Sequence, residues 1–235
     1  MKKSKESYRH ELKYLISTWE KEFIEKKIAA ILKQDIHSVD GGYMIRSLYF
    51  DDLWENAYNE KLAGTSSRKK YRIRCYNGQK DVIKLEKKKK EGQYIYKEAA
   101  NLTEKEFLDI LSGEVDFLKK SDHFLKQEFY YEIKTNQMRP KVIVDYEREP
   151  YVLAYGDVRI TFDSHIRAAI SGYDIFDLNI PTIEVLPKDQ LIMEVKFTEY
   201  LPEMVRDILP HQDVALMAAS KYVMCLEKQK EFCRR

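Results

Sequence analysis

The chain has 235 residues, 44% hydrophobic and 34% charged, and its 41 Lys and Arg residues against 39 Asp and Glu residues give a formal charge of +2. This balance excludes a histone-like polycation, and an aromatic content of 12% excludes an intrinsically disordered chain. We expect no secretory signal, and no window of the sequence approaches the roughly 18 apolar residues of a membrane span. Its three cysteines lack CxxC spacing, which excludes a disulfide framework and a cysteine zinc site. We therefore expect a cytoplasmic protein.

Apolar periodicity predicts helices that alternate with groups of strands. The helices are expected at 17–34, 53–63, 103–112 and 115–134, and from near Asp213 almost to the end. The strand-like runs, rich in Val, Ile, Tyr and Phe, are 8–16, 43–50, 69–76, 81–90, 93–98, 140–147, 157–163 and 190–198. Most strands follow one another through short turns, which predicts an α+β fold with a largely antiparallel sheet, either an open layer or a closed barrel. Because no Pro/Gly/Ser-rich linker is visible, we expect a single domain over 1–235.

Several predicted strands carry charges at alternate positions, so that one face of each strand is charged. Lys70, Arg72 and Arg74 share one face, for example, while their neighbours are apolar. The same alternation unites Arg9, Glu11 and Lys13 in the first strand, Lys84, Glu86 and Lys88 in the fourth, and Glu194 with Lys196 in the last. Such a face is either the solvated side of a sheet or a binding surface. Because like charges side by side destabilise a sheet, their repetition favours a surface that binds a polyanion.

The Asn77-Gly78 pair predicts the turn of a β-hairpin between two of these strands. A two-residue loop would place Arg72 on the face of Asp81, whereas a three-residue loop or a bulge at Gly78 pairs Arg72 with Lys84 and Arg74 with Val82. We predict the odd-numbered loop, because it gathers the basic residues on one wall.

Lys221 lies on an otherwise apolar stripe at helical spacing near the end of the chain. Its side chain either extends along that surface to solvent or reaches inward to an anion. Asp51 and Asp52 follow a predicted strand and could resemble metal ligands, but we expect them to cap the helix at 53–63.

Taken together, the residues resemble a known family, the vacuolar transporter chaperone (VTC) domain of the CYTH-like triphosphate tunnel metalloenzymes. The resemblance extends from about residue 7 to about residue 225. The matching motifs are Arg9-His10-Glu11-Leu12-Lys13-Tyr14, Tyr49-Phe50-Asp51-Asp52, Arg72-Ile73-Arg74, Lys84-Leu85-Glu86-Lys87-Lys88, Tyr146-Glu147-Arg148, Arg159-Ile160-Thr161-Phe162-Asp163, Met193-Glu194-Val195-Lys196 and Ser220-Lys221-Tyr222.

The resemblance implies an antiparallel eight-stranded β-barrel, a tunnel that binds triphosphate and a divalent metal, Mn or Mg. It implies an ATP-dependent polyphosphate polymerase that transfers the γ-phosphate of ATP to a growing chain and releases ADP. By resemblance, the catalytic phosphate-binding residues are Lys13, Arg72, Arg74, Lys88, Lys97, Arg148, Arg159 and Lys221. Further substrate contacts are assigned to Arg9, Lys84, Tyr146, Lys196 and Ser220. The metal is assigned to Glu194, with Glu11 and Glu86 as secondary ligands.

One departure from the hydrolytic relatives bears on the reaction. Those relatives begin with Glu-x-Glu-x-Lys, whereas this chain has Arg9 at the first position and Lys196 two residues after Glu194. The tunnel is therefore expected to have fewer metal carboxylates and more cations, which favours a polymerase over a simple triphosphatase.

Two alternatives stay open: a metal-dependent triphosphatase or nucleoside triphosphate hydrolase of the same fold, and a non-catalytic module that binds polyphosphate. We expect ATP and polyphosphate as ligands and no nucleic acid, because the acidic residues offset the basic ones and no recognised nucleic-acid motif occurs. The chain is expected to have no membrane segment and no inositol-phosphate-sensing domain of the eukaryotic relatives. A membrane protein as a partner, with peripheral membrane association, is left open.

Overall fold

A computed structural model describes residues 10–36, 38, 41–92, 94–210 and 220–234. The predicted substrate contact Arg9 and the predicted helix start near Asp213 lie outside these ranges. Within them, no helix combines the length and the apolar character that crossing a membrane requires.

All eight predicted strands are present. In chain order the strands are β1 (His10–Ser17), β2 (Lys33–Gln34), β3 (Tyr43–Asp51), β4 (Ser67–Tyr76), β5 (Ile83–Glu91), β6 (Tyr94–Leu102), β7 (Arg139–Leu153), β8 (Val158–Ala169), β9 (Thr182–Glu184) and β10 (Gln190–Phe197). The two additional strands, β2 and β9, are too short to produce a period-2 signal in the sequence.

The helices lie between the strands and are shorter than the periodicity indicated. They are α1 (Thr18–Ile28), α2 (Asn56–Leu62), α3 (Glu104–Ser112), α4 (Asp116–Lys119), α5 (Phe124–Thr135), α6 (Glu203–Arg206) and α7 (Lys221–Cys233), with a short 3-10 turn at Tyr155–Asp157. The helix predicted at 17–34 ends at Ile28, because the following residues turn to pair β2 with β7. The helix predicted at 115–134 is two helices, and His123 begins the second by accepting a hydrogen bond from the Leu125 amide at 3.2 Å.

The main strands form one antiparallel sheet in the order β1-β10-β8-β7-β3-β4-β5-β6. The short strands β2 and β9 pair with β7 and β8, respectively. Among the described residues, no backbone ladder joins β6 to β1, so the predicted barrel is not closed by hydrogen bonds. The sheet nevertheless curves far enough for side chains to meet across its interior. Lys88 on β5 lies 2.6 Å from Glu11 on β1.

The β4–β5 hairpin corrects the predicted register while keeping the predicted faces. Arg72 is paired with Glu86 and Arg74 with Lys84, two residues away from the predicted partners. The turn at Asn77 and Gly78 forms as expected, with φ of 51° and 68°, but the loop then continues to residue 82 before β5 begins. A two-residue shift leaves side-chain parity unchanged, so Arg72, Arg74, Lys84, Glu86 and Lys88 still share one face.

The opposite, outer face of the sheet is apolar and covered by helices. Tyr71 and Ile73 on β4 point outward and pack in a buried cluster with Phe129 of α5. A second buried cluster includes Ile24 of α1 and Phe162 of β8, and α7 contributes to a third. Because the helices bury the apolar face, the charged face is turned into the interior of the curved sheet.

Candidate functional site

The curved sheet encloses a cavity of about 1730 Å³. Fifteen Lys and Arg side chains line it, against six Asp and Glu side chains. The chain as a whole has a formal charge of only +2, so an excess of positive charge is concentrated in this cavity.

The structure brings most of the predicted site residues together in this cavity. Fourteen of them line its wall: Glu11, Lys13, Arg72, Arg74, Glu86, Lys88, Lys97, Tyr146, Arg148, Arg159, Glu194, Lys196, Ser220 and Lys221. Lys84 does not line the cavity, although it shares the inner face of β5. It lies two residues beyond Glu86 towards the β4–β5 loop.

Glu194 on β10 is the centre of one group of charges. Its carboxylate is 3.0 Å from Lys221, 3.0 Å from Lys196 and 3.4 Å from Lys13. Burial by itself would raise the pKa of Glu194, but Lys196, Lys221 and Lys13 hold that pKa well below its usual range. Glu194 is therefore an anion that organises several cations.

Asp163 on β8 holds two of the basic side chains in place. This fully buried carboxylate accepts two hydrogen bonds from the Arg148 guanidinium at 2.7 Å each and lies 2.6 Å from Lys221. Of the two orientations open to Lys221, the structure therefore has the inward one, in which the ammonium contacts Asp163 and Glu194. Asp163 was quoted in a motif but given no role. The alternation of Arg159, Thr161 and Asp163 on one face of β8 was the signal that could have identified it.

Glu86 on β5 is the centre of a second group. Arg72 lies 2.7 Å from its carboxylate and Arg74 3.8 Å away, and Lys97 from β6 completes the contacts. Burial opposes ionisation of Glu86, but Arg72, Arg74 and Lys97 lower its pKa below the usual range.

Two tyrosines on neighbouring strands orient the arginines of β4. Arg72 donates to the hydroxyl of Tyr49 at 2.8 Å, and Arg74 donates to the hydroxyl of Tyr146 at 3.0 Å. Burial would raise the pKa of Tyr146, but the nearby guanidiniums of Arg148 and Arg74 lower it. Tyr49 was not predicted, because a tyrosine in a strand is equally typical of a core.

Three lysines of the cavity have pKa values that are lowered to about 7 or 8. Burial, together with the surrounding cations Lys13 and Lys61, lowers the pKa of Lys70 to about 7. Burial is also the first cause of the lowered pKa values of Lys88 and Lys97, each about 8. A bound anion would restore their charge by offsetting both effects.

The start of α7 closes one side of the cavity. Ser220 caps this helix by accepting from the Val223 amide, and Lys70 donates to the Ser220 hydroxyl at 2.8 Å. Tyr222 donates to Asp51 at 2.7 Å, which connects α7 to the end of β3.

Asp51, the last residue of β3, and Asp52 accept hydrogen bonds from the first amides of α2, although the residue at the N-cap position of that helix is Glu55. Asp51 accepts from the amides of Ala57 and Tyr58, and Asp52 accepts from the Asn56 amide at 3.0 Å. Both carboxylates are therefore committed to the helix rather than to a metal.

The three carboxylates assigned to a metal do not form one cluster. Glu11 and Glu194 both contact Lys13, at 3.1 Å and 3.4 Å, whereas Glu86 belongs to the other group. The described part of the chain contains no set of three or more His, Cys, Asp or Glu side chains arranged to hold an ion. Mg²⁺ at phosphate sites commonly needs only one or two carboxylates plus phosphate oxygens. Glu11 and Glu194 fit that requirement. An ion held by them would take the position between the two carboxylates that the ammonium of Lys13 now has.

Comparison with solved structures agrees with the tunnel fold. HpAC1 from Hippeastrum, a proposed adenylyl cyclase with a dominant triphosphatase activity, matches with 13% identity and a TM-score of 0.54, covering 94% of this chain and 96% of that chain. A proposed adenylate cyclase from Bacillus halodurans matches with 15% identity and a TM-score of 0.50, covering 92% of this chain and 96% of that chain. At these identities the likeness concerns the fold alone.

Comparison with protein families settles the membership that the motifs implied. None of the curated proteins matches the sequence. The model of the VTC domain, in contrast, matches residues 8–229, which is nearly the whole chain. The chain belongs to the VTC domain family.

Proposed function

We propose that this protein is an ATP-dependent polyphosphate polymerase that works inside the cavity. The observation that carries the proposal is the excess of cations there, fifteen against six carboxylates. A site for one small anion would need far fewer basic groups. The excess suits two polyanions at once, the triphosphate of ATP and a growing phosphate chain.

Electrostatic repulsion is the main obstacle to bringing these two anions together. Two unit charges about 4 Å apart repel by about 4 kcal/mol at an effective dielectric constant of 20. Several such pairs would prevent the encounter unless cations surround both ligands. Phosphoryl transfer requires in-line positioning and charge neutralisation more than covalent chemistry, so no protein nucleophile is needed.

In the proposed reaction, a terminal phosphate oxygen of the chain attacks the γ-phosphorus of ATP. A new P–O bond forms, the bond between the γ-phosphorus and the β–γ bridging oxygen breaks, and ADP leaves with that oxygen. Arg72 and Arg74 suit bidentate contacts to the transferring group, because their guanidiniums are held in place by Glu86, Tyr49 and Tyr146. Lys221 and Arg148, fixed by Asp163, would neutralise charge on the opposite wall.

A divalent ion, Mn or Mg, would be held by Glu194 and Glu11 together with phosphate oxygens. When bound, it would neutralise charge on those oxygens. Lys13, which now contacts both carboxylates, would be the nearest cation available to contact phosphate beside such an ion. The remaining proposed contacts come from Lys88, Lys97, Arg159, Lys196 and Ser220.

A triphosphatase is the second candidate, because the Hippeastrum protein of the same fold is described as having that dominant activity. The ion pairs that the carboxylates at the centre of the cavity form with Lys and Arg favour the polymerase over the triphosphatase. Glu194 and Glu86 each contact at least three cations, so neither is free to activate water. A module that binds polyphosphate without turnover is the third.

The test is incubation of the protein with ATP labelled at the γ-phosphate and with Mn or Mg, followed by gel separation of the products. The polymerase converts the label into long chains, and Arg72→Ala suppresses them. Label found only in free phosphate identifies a hydrolase, and label that stays in ATP identifies a binding module. Arg139→Ala, on the exposed start of β7, is a matched control.

A further inference from the structure

Lys70 on β4 and Ser220 at the start of α7 form a pair to which the transfer proposed above gives no chemical step. The Lys70 amine is 2.8 Å from the Ser220 hydroxyl, and both residues line the cavity. Both are half-buried, so a ligand in the cavity can reach them. A lysine amine beside a serine hydroxyl is an arrangement in which the amine takes the proton of a nucleophilic serine.

Each member of the pair is held in position by contacts of its own. Ser220 caps α7, where its hydroxyl accepts a hydrogen bond from the Val223 amide at 3.5 Å. The Lys70 amine lies over the ring of Tyr222, 5.2 Å from the ring centroid, and Tyr222 donates to Asp51. The amine and the hydroxyl therefore face each other in a fixed geometry.

The surroundings of Lys70 favour the neutral amine. Burial, and then Lys13 of β1, Lys61 of α2, Arg68 of β4 and Lys88 of β5, lower its pKa to about 7. In the part of the chain that the structure describes, no carboxylate forms an ion pair with Lys70. Because bound ATP would raise this pKa again, the fraction of neutral amine in the complex grows as the pH increases above neutrality.

The pair is adjacent to residues that we propose for the transferring phosphate. Arg72 follows Lys70 by two residues on the same face of β4, a distance of about 7 Å at roughly 3.3 Å per residue. Lys221 is next to Ser220 in the sequence and lines the same cavity. A phosphoryl group between Arg72 and Lys221 would therefore have the Ser220 hydroxyl beside it.

From these observations we infer that Ser220 is a nucleophile that accepts a phosphoryl group from ATP, with Lys70 as its general base. The Ser220 Oγ attacks the γ-phosphorus and a new P–O bond forms. The bond between the γ-phosphorus and the β–γ bridging oxygen breaks, and ADP leaves with that oxygen. The hydroxyl proton moves to the neutral amine of Lys70.

The phosphoserine would give the protein a way to start a chain. Extension of an existing chain needs no protein nucleophile, but the first transfer in the absence of a chain needs an acceptor. Ser220 supplies that acceptor, and phosphate added to it later makes a chain that is covalently attached to the protein. The inference rests on the proposed function, which supplies ATP as the phosphate donor.

Mass spectrometry of the protein after incubation with ATP and Mn, without added polyphosphate, tests the inference. The reaction is stopped with acid, in which the phosphate ester of serine survives, and brief heating in acid then removes phosphates that are linked as anhydrides. We expect one phosphoryl group on the peptide that contains Ser220. Ser17 and Thr103 are controls within the same sample, because their hydroxyls also cap helices but do not line the cavity. Both should stay unmodified.

Two variants distinguish chemical roles from structural ones. Ser220→Asn keeps a side chain that caps helices but lacks the hydroxyl, so the modification should disappear. Lys70→Arg keeps the positive charge but cannot take the proton, so the initial rate of modification should fall by at least about a hundredfold. At saturating ATP, that rate should rise in the wild type as the pH increases from about 7 to about 9, and it should stay constant in Lys70→Arg.

Chains made from ATP alone with no phosphate on Ser220 would overturn the inference, and so would phosphate that maps to another residue. Modification of Lys70→Arg at the wild-type rate would overturn the role of Lys70 as the base. Failure of the polymerase is seen separately, because phosphate on Ser220 together with free phosphate and no chains keeps the nucleophile but contradicts the polymerase. ATP that stays intact contradicts both.

Discussion

The ammonium of Lys88 on β5 lies 2.6 Å from a carboxylate oxygen of Glu11 on β1. β1 is the first strand in the sheet order, and β5 is next to the last strand, β6. In the described residues, no backbone ladder joins β6 to β1. The contact between Lys88 and Glu11 therefore joins the two sides of the curved sheet through a pair of charges and not through hydrogen-bonded strands. Both residues line the cavity, and both belong to the groups that we propose for phosphate and metal binding.

The affinity for polyphosphate should fall as pH rises from about 7 to about 9. Lysines are charged below their pKa, and the pKa values of Lys70, Lys88 and Lys97 are about 7, 8 and 8. Raising the pH removes up to three positive charges from the cavity, which should weaken binding by on the order of tenfold. Titration at constant ionic strength measures this. An affinity that stays constant or increases would contradict the account, and Lys70→Arg should flatten the part of the profile near pH 7.

Arg74→Ala should lower kcat/KM for ATP, because the guanidinium would neutralise charge on the transferring phosphate. The expected loss of transition-state stabilisation is about 2–4 kcal/mol. Steady-state kinetics with the Arg139→Ala control measures the effect. Kinetics of Arg74→Ala close to those of the wild type would remove this residue from the reacting group.

Asp163→Asn should both destabilise the fold and weaken anion binding. Loss of one partner from a buried ion pair costs about 3–5 kcal/mol, and here it also releases Arg148 and Lys221. Asp145→Asn is the matched comparison, because Asp145 forms a buried bidentate pair with Arg46 that does not line the cavity.

Thermal unfolding and polyphosphate titration at low temperature separate the two effects. Both variants should unfold at lower temperature, but only Asp163→Asn should bind polyphosphate more weakly. Equal affinities of the two variants would show that Asp163 acts only in stability.

Glu194→Gln should raise the concentration of Mn or Mg needed for half-maximal activity by at least about tenfold, the scale found when groups at a metal site are lost. Glu86→Gln should leave that concentration unchanged, because Glu86 contacts Arg72, Arg74 and Lys97 rather than the Glu11 and Glu194 pair. Metal titration of both variants is the measurement. The reverse ranking would move the metal to Glu86.

Much of the architecture could be predicted because charged and apolar residues alternate regularly along the strands. The period-2 pattern of β4, with Lys70, Arg72 and Arg74 opposite Tyr71 and Ile73, fixes which face is apolar. Packing of that apolar face against helices then turns the charges inward. Parity survives a two-residue slip, which explains why the wall was predicted correctly although the pairing of Arg72 was wrong.

The remaining features depend on contacts between distant segments. The length of the loop after Gly78 decides the register, and no local signal distinguishes Lys84 from Lys88 as a cavity residue. The role of Asp163 arises because β7 and α7 bring Arg148 and Lys221 to it. The low pKa of Lys70 likewise reflects its neighbours in space.

The most direct test of the central claim is the ratio of ADP released to phosphate incorporated into chains when the purified protein is given ATP and Mn. We predict one ADP for each phosphate added, with little free phosphate and with products much longer than triphosphate. Free phosphate equal to ADP without chains, or tight polyphosphate binding with no ADP at all, would contradict the assignment as a polymerase.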